Sequence, residues 1–238
     1  QMIDALKSGK YDLDRTALII TQTGGGCRAS NYIHLLRHAL ERAGFGQVPV
    51  ASLNFSGLEK DSGFQLTGRL ALQLISAVYY GDLLMLLRNQ TAPYERNPGQ
   101  SDGLCDKWVE LLSAQLADMH GLFPFGMGKN FERIAADFQA VPVQRVPRVK
   151  VGVVGEIYVK YAPLGNNDLQ RFLESEGCEV SMPGLMGFVL YCVCNSWIDV
   201  ELYGGSRVRA AALRLVTDIL CRKEEKMHRI ARAHGFHA

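Results

Sequence analysis

The sequence predicts an α/β fold: a parallel sheet flanked by helices, built from Rossmann- or flavodoxin-like βαβ units, with a helical insertion at about 64–140. Three observations carry that expectation. "TALIITQT" (16–23) is a short apolar, β-branched run, the pattern of a buried strand. Glycines follow it, and then Tyr32, Ile33, Leu35, Leu36, Ala39, Leu40 and Ala43 recur at helical spacing until Gly44. A second strand-like run, "VPVASLNF" (48–55), comes next. Strand, glycine turn, helix and strand make a βαβ unit, whose right-handed crossover sets the strands parallel.

The remaining elements follow in order. Residues 64–90 have a helical pattern through Leu70, Leu74, Val78, Leu83 and Leu87, with Gly81 a point of interruption. "NQTAPYERNPGQSDG" (89–103) is rich in turn formers, and "LCDKWVELLSAQLADMHG" is a second helix. "GLFPFGMGKNF" reads as a loop before a short helix, and the chain returns to a strand at 149–154. In "NNDLQRFLESEGCEV", Asn166 or Asn167 is expected to cap a helix that Gly177 ends. Residues 180–194 are apolar and read as a strand plus a buried helix, and 206–234 as a final helix. The opening "QMIDALKSGKYDLD" looks helical with no capping residue before it. The 238 residues are therefore expected to be one domain cut from a larger multidomain protein.

Bulk properties narrow the function. The net charge is +2, with 21% charged residues, which gives no electrostatic case for nucleic acid or an anionic membrane. The basic run "CRKEEKMHRIARAHGFHA" is interleaved with glutamates and reads as a solvated helix face. The longest apolar stretch, "GLMGFVLYCVC" (184–194), is short for a membrane span. Cys27, Cys105, Cys178, Cys192, Cys194 and Cys221 form no dense framework and no CxxC pair, which suits a reducing cytoplasm. Cys192 and Cys194 read as core residues of an apolar run.

The stretch "TQTGGGCRASNY" (21–32) is the foremost chemical candidate. Glycines between a strand and a helix let a ligand reach the backbone amides of the helix N-terminus, where anions are favoured. No GK[ST] follows, so it is not a Walker loop. Gly24 and Gly26 match GxGxxG, but position 29 is Ala and no acidic residue ends the next strand. A phosphate cradle and a plain tight turn both remain open. Cys27 stands beside Arg28 at the helix start, and both features favour a thiolate. It can be a nucleophile, a metal ligand or a small buried residue. The C-x5-R phosphatase pattern fails because position 33 is Ile, and His34 and His38 are poorly placed partners deeper in the same helix. Glu156 and Lys160, in "VGEIYVKYAPLGNN" (154–167), stand past the C-terminal end of a strand, where α/β proteins place ligands. An exposed loop with a local ion pair is the other reading.

"SGKYDLDRTALIITQTGGGCRASNYI", "VPVASLN", "YGDLLM", "APYE" and "VGEIYVKYAPLGNN" together resemble the 2-hydroxyacyl-CoA dehydratase-related proteins. Within them the sequence looks like the large acyl-CoA dehydratase activase-related branch, the activators of 2-hydroxyglutaryl-CoA dehydratase. The resemblance runs from residue 1 to about 195. It implies an internal fragment of an iron–sulfur protein that serves ATP-driven electron transfer and dehydration or reduction chemistry. Cys27 would be one ligand of a cluster, expected to be 4Fe-4S, whose other ligands lie outside these residues. Gly24, Gly25, Gly26, Arg28, Ser30 and Glu156 are the residues expected around the cofactor. The implied partners are other domains of the same chain, an ATPase segment among them, and a dehydratase subunit or a second copy, in the cytoplasm, without nucleic acid or membrane. Soft thiolates suit iron–sulfur clusters, and glycines leave room for one. The alternative is a non-catalytic α/β module that binds a partner or an anion.

Overall fold

A computed structural model describes residues 1–22, 28–54 and 67–238. They divide into two units, Gln1–Leu70 and Ala71–Ala238.

The first unit holds α1 (Met2–Lys7), β1 (Leu18–Gln22), α2 (Tyr32–Arg42) and β2 (Val50–Asn54). β1 and β2 pair in parallel, with Leu18 opposite Val50 and Gln22 opposite Asn54. α2 lies in the crossover and buries Ile33 and Leu40. Leu40 packs with Leu6 and Val48 into a small core. Gly44 ends α2 at φ +80°, a left-handed conformation that a side chain would strain. The Phe45 amide then donates back to the Leu40 carbonyl at 2.8 Å and closes the helix end. β1 is less buried than its composition predicts: Ile19 is 50% exposed.

The second unit begins within α3 (Gly68–Thr91) and continues through α4 (Gln100–Ala117), α5 (Gly128–Gln139), β3 (Lys150–Gly152), α6 (Ile157–Tyr161), α7 (Pro163–Asn166), α8 (Leu169–Ser175), β4 (Glu179–Ser181), α9 (Leu185–Tyr203) and α10 (Arg207–Ala233). Its core is helix against helix. Tyr79, Leu83 and Leu87 line one stripe of α3 at i, i+4 spacing. They share a cluster with Trp108 and Leu112 of α4, Phe131, Ile134 and Phe138 of α5, and Met227 and Ile230 of α10. Each such side chain contributes about 1.5–3 kcal/mol on full burial. The two tyrosine hydroxyls carried into this core are satisfied. Tyr79 donates to the Leu220 carbonyl at 2.7 Å, and Tyr80 to the Gly121 carbonyl at 2.6 Å.

The α/β expectation fails at the level of the whole chain. The protein is 66% helical and, among the described residues, has two separate two-stranded parallel sheets in place of one sheet flanked by helices. The βαβ logic holds locally, but neither sheet grows. β3 and β4 pair over three residues each, Lys150 opposite Glu179 and Gly152 opposite Ser181. The apolar run after β4 then winds into a helix of 19 residues rather than extending a strand. A continuous apolar run fits a buried strand and a packed helix equally well, and helical packing of Met186 and Leu190 against the core decides between them. Cys192, expected inside, is exposed on that helix.

Two segments, Gly68–Tyr94 and Leu185–Tyr203, are long and apolar enough by length and composition to cross a membrane. The second contains residues 185–194 of the apolar run, short when read alone. The inner half of the first lies in the core just described.

Candidate functional site

The candidate residues fall at two loci, one in each unit. In the first, the chain leaves β1 at Gln22 and is described again from Arg28, where a 3-10 turn (Arg28–Asn31) leads into α2. Gly24, Gly25, Gly26 and Cys27 lie outside the described residues. Arg28 is exposed and Ser30 half-buried on that turn.

In the second unit, two of the sequence motifs meet at the start of α9. The single charge in the apolar run 70–87 is Asp82. Its carboxylate accepts the backbone amides of Leu185 at 2.8 Å and Met186 at 2.7 Å. A helix N-terminus has unpaired amides and a partial positive charge, so a carboxylate there satisfies both. No residue of α9 itself supplies the cap. Gly184 is required by this approach: a Cβ there would stand 2.5 Å from Asp82 Oδ2.

The residue before the glycine is held from the other side. The Pro183 carbonyl accepts from the Tyr161 hydroxyl and from Lys160 Nζ, the latter at 3.4 Å. Lys160 Nζ also lies 4.3 Å from the Tyr161 ring centroid. "YGDLLM", "GEIYVKYAPLGNN" and the Pro183–Met186 turn therefore form one cluster past the C-terminal ends of β3 and β4. Burial raises the Asp82 carboxyl above the ordinary carboxylate range, against the opposing pull of the Met186 and Leu185 amides, Lys160 and His228. Burial also raises Glu224 of α10, with His228 opposing and Asp82 adding. Tyr161 is pushed up to about 12 by burial and then by Asp82.

Glu156 caps α6, its carboxylate accepting the Val159 amide at 3.1 Å. Asn166 fulfils its predicted capping role in a wider sense. Its oxygen accepts the Leu169 amide at 3.1 Å while its nitrogen donates to the Val159 carbonyl at 2.8 Å. The start of α8 is thereby tied to the end of α6.

Beside this cluster lies a cleft of about 400 Å³, reached by Lys160, Tyr161, Met182 and Cys105. Arg88 of α3 stands in it, donating to Asp102 of α4 at 2.8 Å and to Glu174 of α8. Gln170 bridges Asn89 at 2.9 Å and Glu174 at 2.8 Å. Burial pushes the Cys105 thiol up to about 11. Arg88 and Glu174, which line the cleft, and Asp82, which caps α9 beside it, were not singled out from the sequence. The signal for Asp82 was present, since a lone carboxylate in an apolar helix is expected to have a specific partner.

Among the described residues no group of three or more His, Cys, Asp or Glu side chains is arranged to hold a metal ion. No family model, no curated protein and no solved structure matches the chain.

Proposed function

We propose that this chain is a module of a 2-hydroxyacyl-CoA dehydratase-related iron–sulfur protein, of the activator branch, acting in the cytoplasm, in which Cys27 supplies one ligand to a shared cluster. The cluster, when bound, would relay electrons to the substrate thioester. Its remaining ligands and the ATPase segment belong to other parts of the assembly. The described cysteines are spread over α4, α9, α10 and the turn before β4, and no three of them converge with other donors, so a cluster here relies on Cys27 and on ligands from elsewhere.

One observation supports the reading above the rest. Asp82, Lys160 and Tyr161, from two of the stretches that carry the resemblance, act on the same four residues, Pro183–Met186. In this reading they hold the α9 N-terminus and one wall of the cleft in place, while Glu156 and Asn166 shape the chain between β3 and α8.

The test is anaerobic reconstitution, with iron and sulfide, of the full-length protein that carries the other ligands. Iron per chain and the visible absorbance of the cluster are compared between the native sequence, Cys27→Ala and Cys178→Ala. The reading expects loss only in Cys27→Ala. Equal iron and absorbance in all three would discard it.

A further inference from the structure

A second cleft, of about 350 Å³, opens at the N-terminal ends of β3 and β4, on the strand edge opposite the Asp82 cluster. Its floor is Tyr94, from "APYE", whose hydroxyl donates to the buried Glu179 carboxylate at 2.5 Å. Lys150 pairs with the other oxygen of Glu179 at 3.4 Å. The guanidinium of Arg145 lies 4.6 Å from the Tyr94 ring centroid and that of Arg148 lies 5.6 Å from it. Gln90 holds the wall at the C-terminus, exchanging hydrogen bonds of 2.7 and 2.8 Å with the His237 backbone.

The charges do not balance. Arg145 and Lys150 bring two positive charges to the cleft, against one negative charge on Glu179. Arg148 is used internally, donating to the Gly177 carbonyl at 2.8 Å. Arg145 spends one donor on the Gln90 carbonyl at 2.8 Å. A guanidinium has five donors and an ammonium three, so Arg145 and Lys150 retain donors for a ligand. Stacking on Tyr94 fixes the Arg145 fork, and a fork held in place is the geometry that recognises oxyanions.

We infer that this cleft binds the phosphate group of a small ligand. A fixed guanidinium fork beside an ammonium offers more converging donors than the two oxygens of a carboxylate use, and suits the several oxygens of a phosphate. Arg145 and Lys150 are the binding residues, and Tyr94 with Glu179 positions them. The inference is independent of Cys27 and of any cluster.

The test is calorimetric titration of the 238-residue protein with inorganic phosphate at low salt, with acetate as the comparison anion. The expected result is saturable phosphate binding with a Kd of about 1 mM, and acetate at least about tenfold weaker. Lys150→Gln and Arg145→Gln should each weaken phosphate by about tenfold or more, and Lys107→Gln on α4 should not change it. Lys150 is largely exposed, so Lys150→Gln, checked by circular dichroism, remains decisive if Arg145→Gln fails to fold. Absence of saturable binding, unchanged affinity in folded Lys150→Gln, or equal binding of acetate would each overturn the inference.

Discussion

Asp82 Oδ2 receives the Met186 amide at 2.7 Å, so the first turn of α9 is capped by a side chain 104 residues earlier in the chain. The neighbouring Leu185 amide reaches the other oxygen of the same carboxylate. Removing an acceptor that serves two shielded donors leaves both unsatisfied, which costs about 1–3 kcal/mol per group at most. Asp82→Ala is expected to lower the urea midpoint of the second unit accordingly, with Asp82→Asn losing less because its oxygen still accepts. Both tryptophans, Trp108 and Trp197, lie in that unit, so tryptophan fluorescence reads it selectively.

The same carboxylate predicts a pH dependence. Burial raises the folded Asp82 above its ordinary value. Below that ordinary value both folded and unfolded chains carry the proton. As pH rises, the unfolded chain ionises first, so the stability attached to Asp82 falls until the folded group ionises too, and then levels off. Asp82→Asn has no such loss. Its deficit against the native protein should therefore be largest at acid pH and shrink toward neutral pH in paired urea titrations. Glu224 also shifts upward and partly because of Asp82, so its contribution relaxes in the variant in the same direction. A deficit that grows with pH would contradict the assignment.

Gly184 gives a coupled test. A methyl at this position would meet Asp82 Oδ2 at 2.5 Å, so Gly184→Ala must displace the carboxylate or the turn. Overpacking of this kind costs typically about 1–3 kcal/mol. If the clash is with Asp82, the double variant Gly184→Ala/Asp82→Ala loses less than the sum of the two single changes, because the second mutation removes what the first strikes. Strict additivity in a double-mutant cycle would place the strain elsewhere.

Local elements were legible in the sequence and their assembly was not. Gly44 and Gly177 end helices where their spacing predicts, and Asn166 serves the start of α8. These features depend on neighbours a few residues away. The single-sheet expectation failed because the growth of a sheet depends on long-range partners. Nothing within "KVGVV" or "CEVSM" reveals that pairing stops after three residues. The run 180–194 was legible as a strand plus a helix, but the carboxylate in α3 that caps that helix was not. The candidate site divides the same way. Glu156 and Lys160 were visible as residues past a strand end, whereas Arg88 looks in sequence like any basic residue late in a helix. Its pairing with Asp102 and Glu174 arises only when α3, α4 and α8 meet.

Tyr94 and Glu179 make a further prediction. Glu179 is 7% exposed, and the Tyr94 hydroxyl is one of its two partners named above. Tyr94→Phe keeps the ring beneath Arg145 but leaves a buried carboxylate oxygen without its donor. The expected loss is about 1–3 kcal/mol, seen as a lower urea midpoint with an unchanged m value. Glu179→Gln retains an acceptor and should lose less than Tyr94→Phe alone. Tyr94→Phe with native stability would mean that water or Lys150 replaces the hydroxyl in full.

Cysteine reactivity separates the environments of α4 and α9. Cys105 lines the 400 Å³ cleft, and burial, reinforced by Asp102 and Asp106 against the opposing Arg88, pushes its thiol up to about 11. The thiolate is the reactive species, so Cys105 should alkylate slowly at neutral pH. Cys192 is exposed on α9 and should be modified first. Cys221, exposed on α10 but raised by its own burial and by Glu224, should fall between them. Brief iodoacetamide treatment of the native protein followed by peptide mass spectrometry gives the order. Raising the pH should accelerate Cys105, since its thiolate fraction climbs about tenfold per pH unit below its raised value. If Cys105 labels as fast as Cys192 at neutral pH, the cleft beside Arg88 is open to reagent and the thiol is not held in its protonated form.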